Sequence, residues 1–125
     1  MILDTNAVSA LLAGDGALEQ LLTEVHQLGL PVIVLGEYRY GLLRSTRRER
    51  LESLFDHLVE VSEVLAIDST TTRFYAQARE RLRALGRPIP ENDLWIAALG
   101  LQHRQPVVSR DRHFDAVEGL TRLEW

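Results

Sequence analysis

Residues 92–111 read NDLWIAALGLQHRQPVVSRD, and the way this stretch divides decides the fold. From Asn92 to about His103 the apolar residues Leu94, Trp95, Ile96, Ala97, Ala98, Leu99 and Leu101 cover almost every direction around a helix, the mark of a buried one. Pro106 then opens PVVSRD (106–111), whose β-branched pair reads as a strand that ends in an acid. A buried helix feeding a short apolar strand is the repeating unit of a parallel sheet covered by helices. Asp93 stands at the head of the helix and, at ~100° per residue, shares a stripe with Ile96, Ala97 and Gly100. A carboxylate placed there must be paired, hydrogen-bonded or metal-bound to stay charged.

The same alternation extends to both ends of the chain. MILDT (1–5) reads as a strand, and NAVSALLAG (6–14) and ALEQLLTEVHQLG (17–29) as helices that stop at glycines. LPVIVLG (30–36) is apolar and β-branched between Pro31 and Gly36, and predicts a second strand buried on both faces. EYRYGLLRS (37–45) and RRERLESLFDHLVEV (47–61) predict helices, VLAID (64–68) a third strand, and STTTRFYAQARERLRALG (69–86) a long amphipathic helix. The loop RPIPEND leads back to the opening segment; HFDAV (113–117) is a helical turn and LTRLEW (120–125) a last strand. The expected fold is α/β, with a mainly parallel central sheet of about five strands and helices on both faces, as one domain over residues 1–125.

Composition narrows the chemistry. The chain has no Cys, which excludes disulfide frameworks, thiolate catalysis and Cys-based zinc sites. No apolar run approaches the ~20 residues needed to span a bilayer, and the N-terminus lacks the pattern of a signal peptide, so a cytoplasmic location without membrane contact is expected. All 14 basic residues are Arg, and the net charge of −4 argues weakly against nucleic-acid binding. Two bound divalent cations would cancel that charge, and the arginines cluster, with Arg44, Arg47, Arg48 and Arg50 the first group.

In open α/β sheets ligands bind at the carboxyl ends of the strands. Asp4, Asp68 and Asp111 fall at such ends, and Glu37 follows directly after the second predicted strand. Asp68 is fully explained as the N-cap of the long helix and is set aside. Asp4 is not needed as a cap, because Thr5 and Asn6 lie nearer the predicted helix start. Together with Asp93 this leaves Asp4, Glu37, Asp93 and Asp111. Two carboxylates ~4 Å apart repel by about 4 kcal/mol at an effective dielectric of ~20, and no Lys is available to offset four of them. A hard divalent cation, Mg²⁺ or Mn²⁺, suits such oxygen ligands, and an ion of this kind can drive in-line displacement at a phosphodiester.

ILDTNAVSALL, VLGEYRYGLL, PENDLWIAALGL and VVSRDRHF, in this order across almost the whole chain, resemble the PIN-domain ribonucleases, most closely the VapC-type toxins of bacterial toxin–antitoxin pairs. The resemblance implies a PIN-like fold and a Mg²⁺- or Mn²⁺-dependent endoribonuclease whose metal-binding and catalytic acids are Asp4, Glu37, Asp93 and Asp111. It implies supporting roles for Asn6 and Ser109, and places Asp115 beyond the core of the motif. It also implies an RNA substrate, a homodimer and a cognate VapB-type antitoxin. In the family the C-terminal segment of that partner crosses the early helices; here Leu11, Leu12, Tyr38, Leu42 and Leu43 would receive it. Arg44, Arg47, Arg48 and Arg50 are candidate contacts to the RNA backbone.

Rival readings fare less well. A phosphorylatable receiver domain and a phosphatase of the haloacid dehalogenase type both call for a Lys, and the latter for a second Asp where Asn6 stands. A metal-free ribonuclease would use His as acid and base. His26, His57, His103 and His113 are scattered, read as surface residues, and only His113 is near the proposed site. The alternative that survives is a non-catalytic PIN-like module that binds RNA or protein.

Overall fold

In the computed structural model, which describes residues 1–125, the chain runs β1 (Ile2–Leu3), α1 (Thr5–Leu12), α2 (Gly16–Leu22), β2 (Gly29–Pro31), α3 (Val32–Leu42), α4 (Arg48–Val61), β3 (Glu63–Leu65), α5 (Ser69–Ala84), α6 (Glu91–His103), β4 (Val107–Val108), a 3₁₀ turn (Arg112–Ala116) and β5 (Arg122–Leu123). The strands form one sheet in the order β3-β2-β1-β4-β5. Every pairing is parallel, as the alternation of strands and helices predicts. From β1 the chain builds outward through β2 to β3, then returns across the sheet to β4 on the other side of β1. Right-handed crossovers in these two directions cover opposite faces. α1 packs against α2, α3 and α4, while α5 lies along α6. No helix is long and apolar enough to cross a membrane.

Ile2, Leu3, Leu30, Val107 and Val108 of the three central strands are buried, as are Ile96, Ala97 and Leu99 of α6. The all-round apolar surface of α6 therefore has the origin expected of it: the helix is enclosed by its sheet and its neighbours. Asp68 is the N-cap of α5. Its carboxylate accepts from the Thr71 amide at 3.0 Å, and Thr71 Oγ1 accepts in return from the Asp68 amide at 3.1 Å, closing a capping box.

The second strand departs from expectation. It covers only Gly29–Pro31, and the apolar run VIVLG belongs to α3. Short apolar runs suit strand and helix equally until packing arbitrates. Here Val34, Tyr38 and Leu42 are buried at four-residue spacing while Val32 is 43% exposed, a one-sided helical pattern that a doubly buried strand would not show. Glu37 consequently lies in the second turn of a helix, and not at the end of a strand. Asp4 is corrected too. It is the N-cap of α1, its carboxylate accepting from the Thr5 amide at 2.8 Å. The second helix ends at Leu22, short of the expected Gly29. The last strand ends at Leu123, so Trp125 lies beyond it, where its indole N–H donates to Asp15 at 3.2 Å under the Arg110 guanidinium.

Gly100 lets α6 approach the sheet. A Cβ there would stand 2.6 Å from Leu120 Cδ1, 3.1 Å from Val107 Cγ2 and 3.3 Å from the Gln105 carbonyl. Gly36, in the exposed face of α3, has nothing within 4 Å. Gly100→Ala is expected to cost about 1–3 kcal/mol through overpacking, offset only in part by Ala's better helix propensity. Gly36→Ala should gain roughly 0.5–1 kcal/mol. Urea denaturation of the two variants beside the wild type checks both signs.

Candidate metal centre

The reversal of strand order falls between β1 and β4, and the carboxyl ends of these strands open onto one crevice. The Asp4 amide donates to the Val108 carbonyl at 3.1 Å, which carries the β1–β4 ladder up to the acid itself. Asp4 is 5% exposed. Ser109, fully buried one residue beyond β4, donates from Oγ to Asp4 Oδ2 at 2.7 Å. The same hydroxyl accepts from Asn6 Nδ2 at 3.2 Å and from the Asp111 amide at 2.9 Å. Asn6 Nδ2 also reaches Asp4 Oδ2 at 3.3 Å, and Asn6 Oδ1 accepts from the Arg110 amide at 3.3 Å. Asn6 and Ser109 thus orient Asp4 and tie the loop carrying Asp111 to the start of α1.

Asp93 enters from the first turn of α6, where unpaired amides favour a negative charge. Glu37 enters from α3. Asp111 caps the 3₁₀ turn by accepting from the His113 amide at 2.9 Å. These four acids come from four separate parts of the chain and act on one another. Burial pushes Asp4 above its ordinary value, with a smaller contribution from Asp111 in the same direction. Burial also raises Glu37, assisted by Asp4 and Asp93. Asp93 is raised by burial and further by Asp4 and Asp111, against the lowering influence of His113.

His113, read from the sequence as a surface residue, belongs to this cluster. Its Nδ1 lies 2.9 Å from Asp93 Oδ2 and 2.9 Å from Asp111 Oδ1, and the bond to Asp93 holds the imidazole above the usual His range. The only sequence signal was the spacing of two positions from Asp111 on a turn. Asp115 is engaged elsewhere, with Arg122 forking its two oxygens at 2.8 and 3.1 Å. Of the four candidate arginines, Arg48 is paired with Glu52 and Arg44 lies over the Tyr40 ring. Arg47 and Arg50 form no ion pair and line a groove of about 490 Å³ that also contains Thr5, Glu37 and Tyr38.

The donor set fits a divalent cation. One oxygen of Glu37, Oε1, is shielded from solvent and makes no hydrogen bond of normal geometry. The Thr5 and Asn92 side chains near this carboxyl favour its charge less than burial and the neighbouring Asp4 and Asp93 oppose it, a balance that a bound cation would reverse. Ligand atoms of Asp93, Asp111 and His113 all lie within 4.8 Å of one another.

A family model described as "PIN domain" matches residues 1–120. The chain belongs to the PIN domain family. As a PIN domain it is 32% identical to Ribonuclease VapC5 of Mycobacterium tuberculosis, over 98% of this chain and 91% of that one. A solved VapBC-5 toxin–antitoxin structure from the same organism superposes with a TM-score of 0.75 at 29% identity, covering 98% of this chain and 94% of that one. VapBC2 from Rickettsia felis, solved bound to a promoter DNA fragment, has the same fold, with a TM-score of 0.87 at 24% identity over 99% and 97% of the two chains.

Because burial holds Glu37, Asp4 and Asp93 above the ordinary carboxylate range, their folded values exceed the unfolded ones. Without divalent ions, these three groups therefore contribute stability that is fully present below the unfolded values and is lost as pH rises through the raised native values. Asp15, Asp68, Glu80 and Asp115, held below the ordinary range, act in the opposite sense at lower pH. Glu37→Gln should make that decline shallower in urea melts recorded in EDTA between about pH 4.5 and about pH 7. A decline as steep as the wild type's would show that the Glu37 charge is not opposed in the fold.

Proposed function

We propose that this PIN domain is a metal-dependent endoribonuclease, the toxin of a VapBC-type toxin–antitoxin pair, with Mg²⁺ or Mn²⁺ held by Asp4, Glu37, Asp93 and Asp111. The observation that carries this reading is the convergence of Asp4, Glu37, Asp93 and Asp111 from four parts of the chain, each repelled by or repelling at least one other, with ligand atoms of Asp93, Asp111 and His113 within 4.8 Å of one another. Its kinship to a protein named as a ribonuclease, over nearly the full length of both chains, supports the choice of RNA.

When bound, the cation neutralises the acids and supplies Lewis-acid polarisation of the scissile phosphate. The chain's own residues do the positioning. Ser109 Oγ–H, Asn6 Nδ2 and the Thr5 amide hold both Asp4 oxygens in a set orientation, as groups behind metal ligands do. Glu37, held above the ordinary carboxylate range by burial and by the neighbouring Asp4 and Asp93, is a better proton acceptor for an attacking water than an ordinary carboxylate. Arg47 and Arg50 flank the groove that leads from Glu37 and meet an approaching phosphate backbone without first breaking an ion pair.

The antitoxin fits the same groove. Of the leucines expected to receive it, Leu12 and Leu42 line the wall with Tyr38, joined by Leu51 and Leu54, which the sequence did not single out. Leu11 and Leu43 are not in that wall. The solved VapBC-5 structure, a toxin–antitoxin system at 29% identity, supports a partner of this kind.

The purified chain should cleave RNA with Mg²⁺ or Mn²⁺ and stop in EDTA. Asp4→Asn and Asp93→Asn should each lose at least about 100-fold in rate with their circular dichroism melts still cooperative, and Ser109→Ala about 10–100-fold. Equal rates in EDTA would overturn the metal mechanism. RNA binding with no cleavage under any ion would make the protein a non-catalytic module. For the arginines, replacing Arg47 and Arg50 by Gln should flatten the dependence of log affinity on log salt by about 0.7 per lost phosphate contact on single-stranded RNA. An unchanged slope would remove them from the RNA path.

A further inference from the structure

The cluster contains one nitrogen donor among its oxygens. His113 lies two residues after Asp111, and the hydrogen bond from its own amide to Asp111 Oδ1, at 2.9 Å, fixes the backbone from which the imidazole extends. The next residue, Phe114, is fully buried and anchors the turn in the core. The ring thus has a rigid base, although its side chain is 49% exposed. From there Nδ1 stands 2.9 Å from an oxygen of Asp111 and 2.9 Å from an oxygen of Asp93, an acid on a different element. Around an octahedral ion with bonds of ~2.1 Å, neighbouring donors lie roughly 3 Å apart. Nδ1 therefore keeps the spacing of an adjacent ligand to two acids at once. Asp93, one of the two acids that Nδ1 meets, is also repelled by Asp4 and itself repels Glu37, so the imidazole stands against the same group of acids.

We propose that His113 is a nitrogen ligand of the metal centre, and that it shifts the ion preference of the site from Mg²⁺ towards Mn²⁺. The inference rests on the metal-dependent reading above and adds to it. Carboxylates and water suit Mg²⁺ and Mn²⁺ alike, whereas imidazole adds affinity for transition ions and contributes little for Mg²⁺, which binds oxygen almost exclusively. A site of four acids alone would discriminate weakly between the two. With the imidazole of His113 it discriminates through a donor that only one of them uses well. The contact to Asp93 and Asp111 is then the ion-free arrangement of a ligand already in its place, and not only a hydrogen bond that steadies two acids.

The test uses the full chain with Mn²⁺ alone, in the absence of RNA. Pulsed electron paramagnetic resonance of the bound ion should show the ¹⁴N coupling of a coordinated imidazole in the wild type, lost in His113→Gln. Calorimetry should show that this variant binds Mn²⁺ about tenfold more weakly while Mg²⁺ affinity changes by less than about threefold. Thermal melts of both proteins report on folding. If Mn²⁺ binds the wild type but no ¹⁴N coupling is seen, or if His113→Gln weakens both ions equally, His113 is a positioning group and the proposal fails while the metal-dependent reading stands. If the wild type leaves Mn²⁺ free in solution, the metal-dependent reading fails, and this inference with it.

Discussion

The parallel pairing of β1 with β4 is the constraint on which the rest of the molecule depends. It joins residues about a hundred positions apart, Ile2 to Val107 and Leu3 to Val108, and continues through the Asp4 amide to the Val108 carbonyl. Because the order of strands reverses at this pair, the loops leaving the two strands diverge and leave a crevice between them. A register shift of one residue would turn Asp4 to the other face of the sheet and break the Ser109 hydrogen bond that now orients it. The apolar enclosure of α6 serves the same end, since burying Ile96, Ala97 and Leu99 against the sheet fixes the depth at which Asp93 enters.

The crevice opposes the fold that makes it. Asp4, Glu37 and Asp93 are taken from water and set near one another, and burial is the largest influence on each. Local polar groups relieve part of the cost. Ser109, Asn6 and the Thr5 amide serve Asp4, and the first turn of α6 and His113 serve Asp93. Glu37 keeps one shielded oxygen, Oε1, that makes no hydrogen bond of normal geometry, and the Thr5 and Asn92 side chains relieve its charge only in part. A protein selected for stability alone would not retain that arrangement, and departures of this kind from local consistency are where function is usually found.

Much of the site was legible in the sequence because position along a strand implies position on an edge. Asp4 and Asp111 follow strands, and Asp93 stood out as a charge heading an otherwise apolar helix. Glu37 was reached by the wrong local route: VIVLG satisfies strand and helix alike, and only the burial of Val34, Tyr38 and Leu42 at four-residue spacing separates them. His113 was missed because its importance is geometric. In sequence it is one of four scattered His residues. In space it joins Asp111, two residues away, to Asp93, twenty residues away. Arg47 and Arg50 could not be distinguished from Arg44 and Arg48 either, since the difference is whether a neighbour four residues away, Tyr40 for Arg44 and Glu52 for Arg48, already holds the guanidinium.

The sequence by itself determined the class of fold, the parallel sheet, the exclusion of thiol chemistry, the cap at Asp68 and the acids at the sheet's edge. These follow from periodicity, composition and chain order, which are local or additive properties. Only the tertiary structure decided that Glu37 projects from a helix, that Ser109 and Asn6 hold Asp4, that Asp115 is taken up by Arg122, and that an imidazole stands among the carboxylates. Those outcomes depend on distances between side chains far apart in the chain, and such distances exist only once the apolar core has closed and set every element at its depth and register.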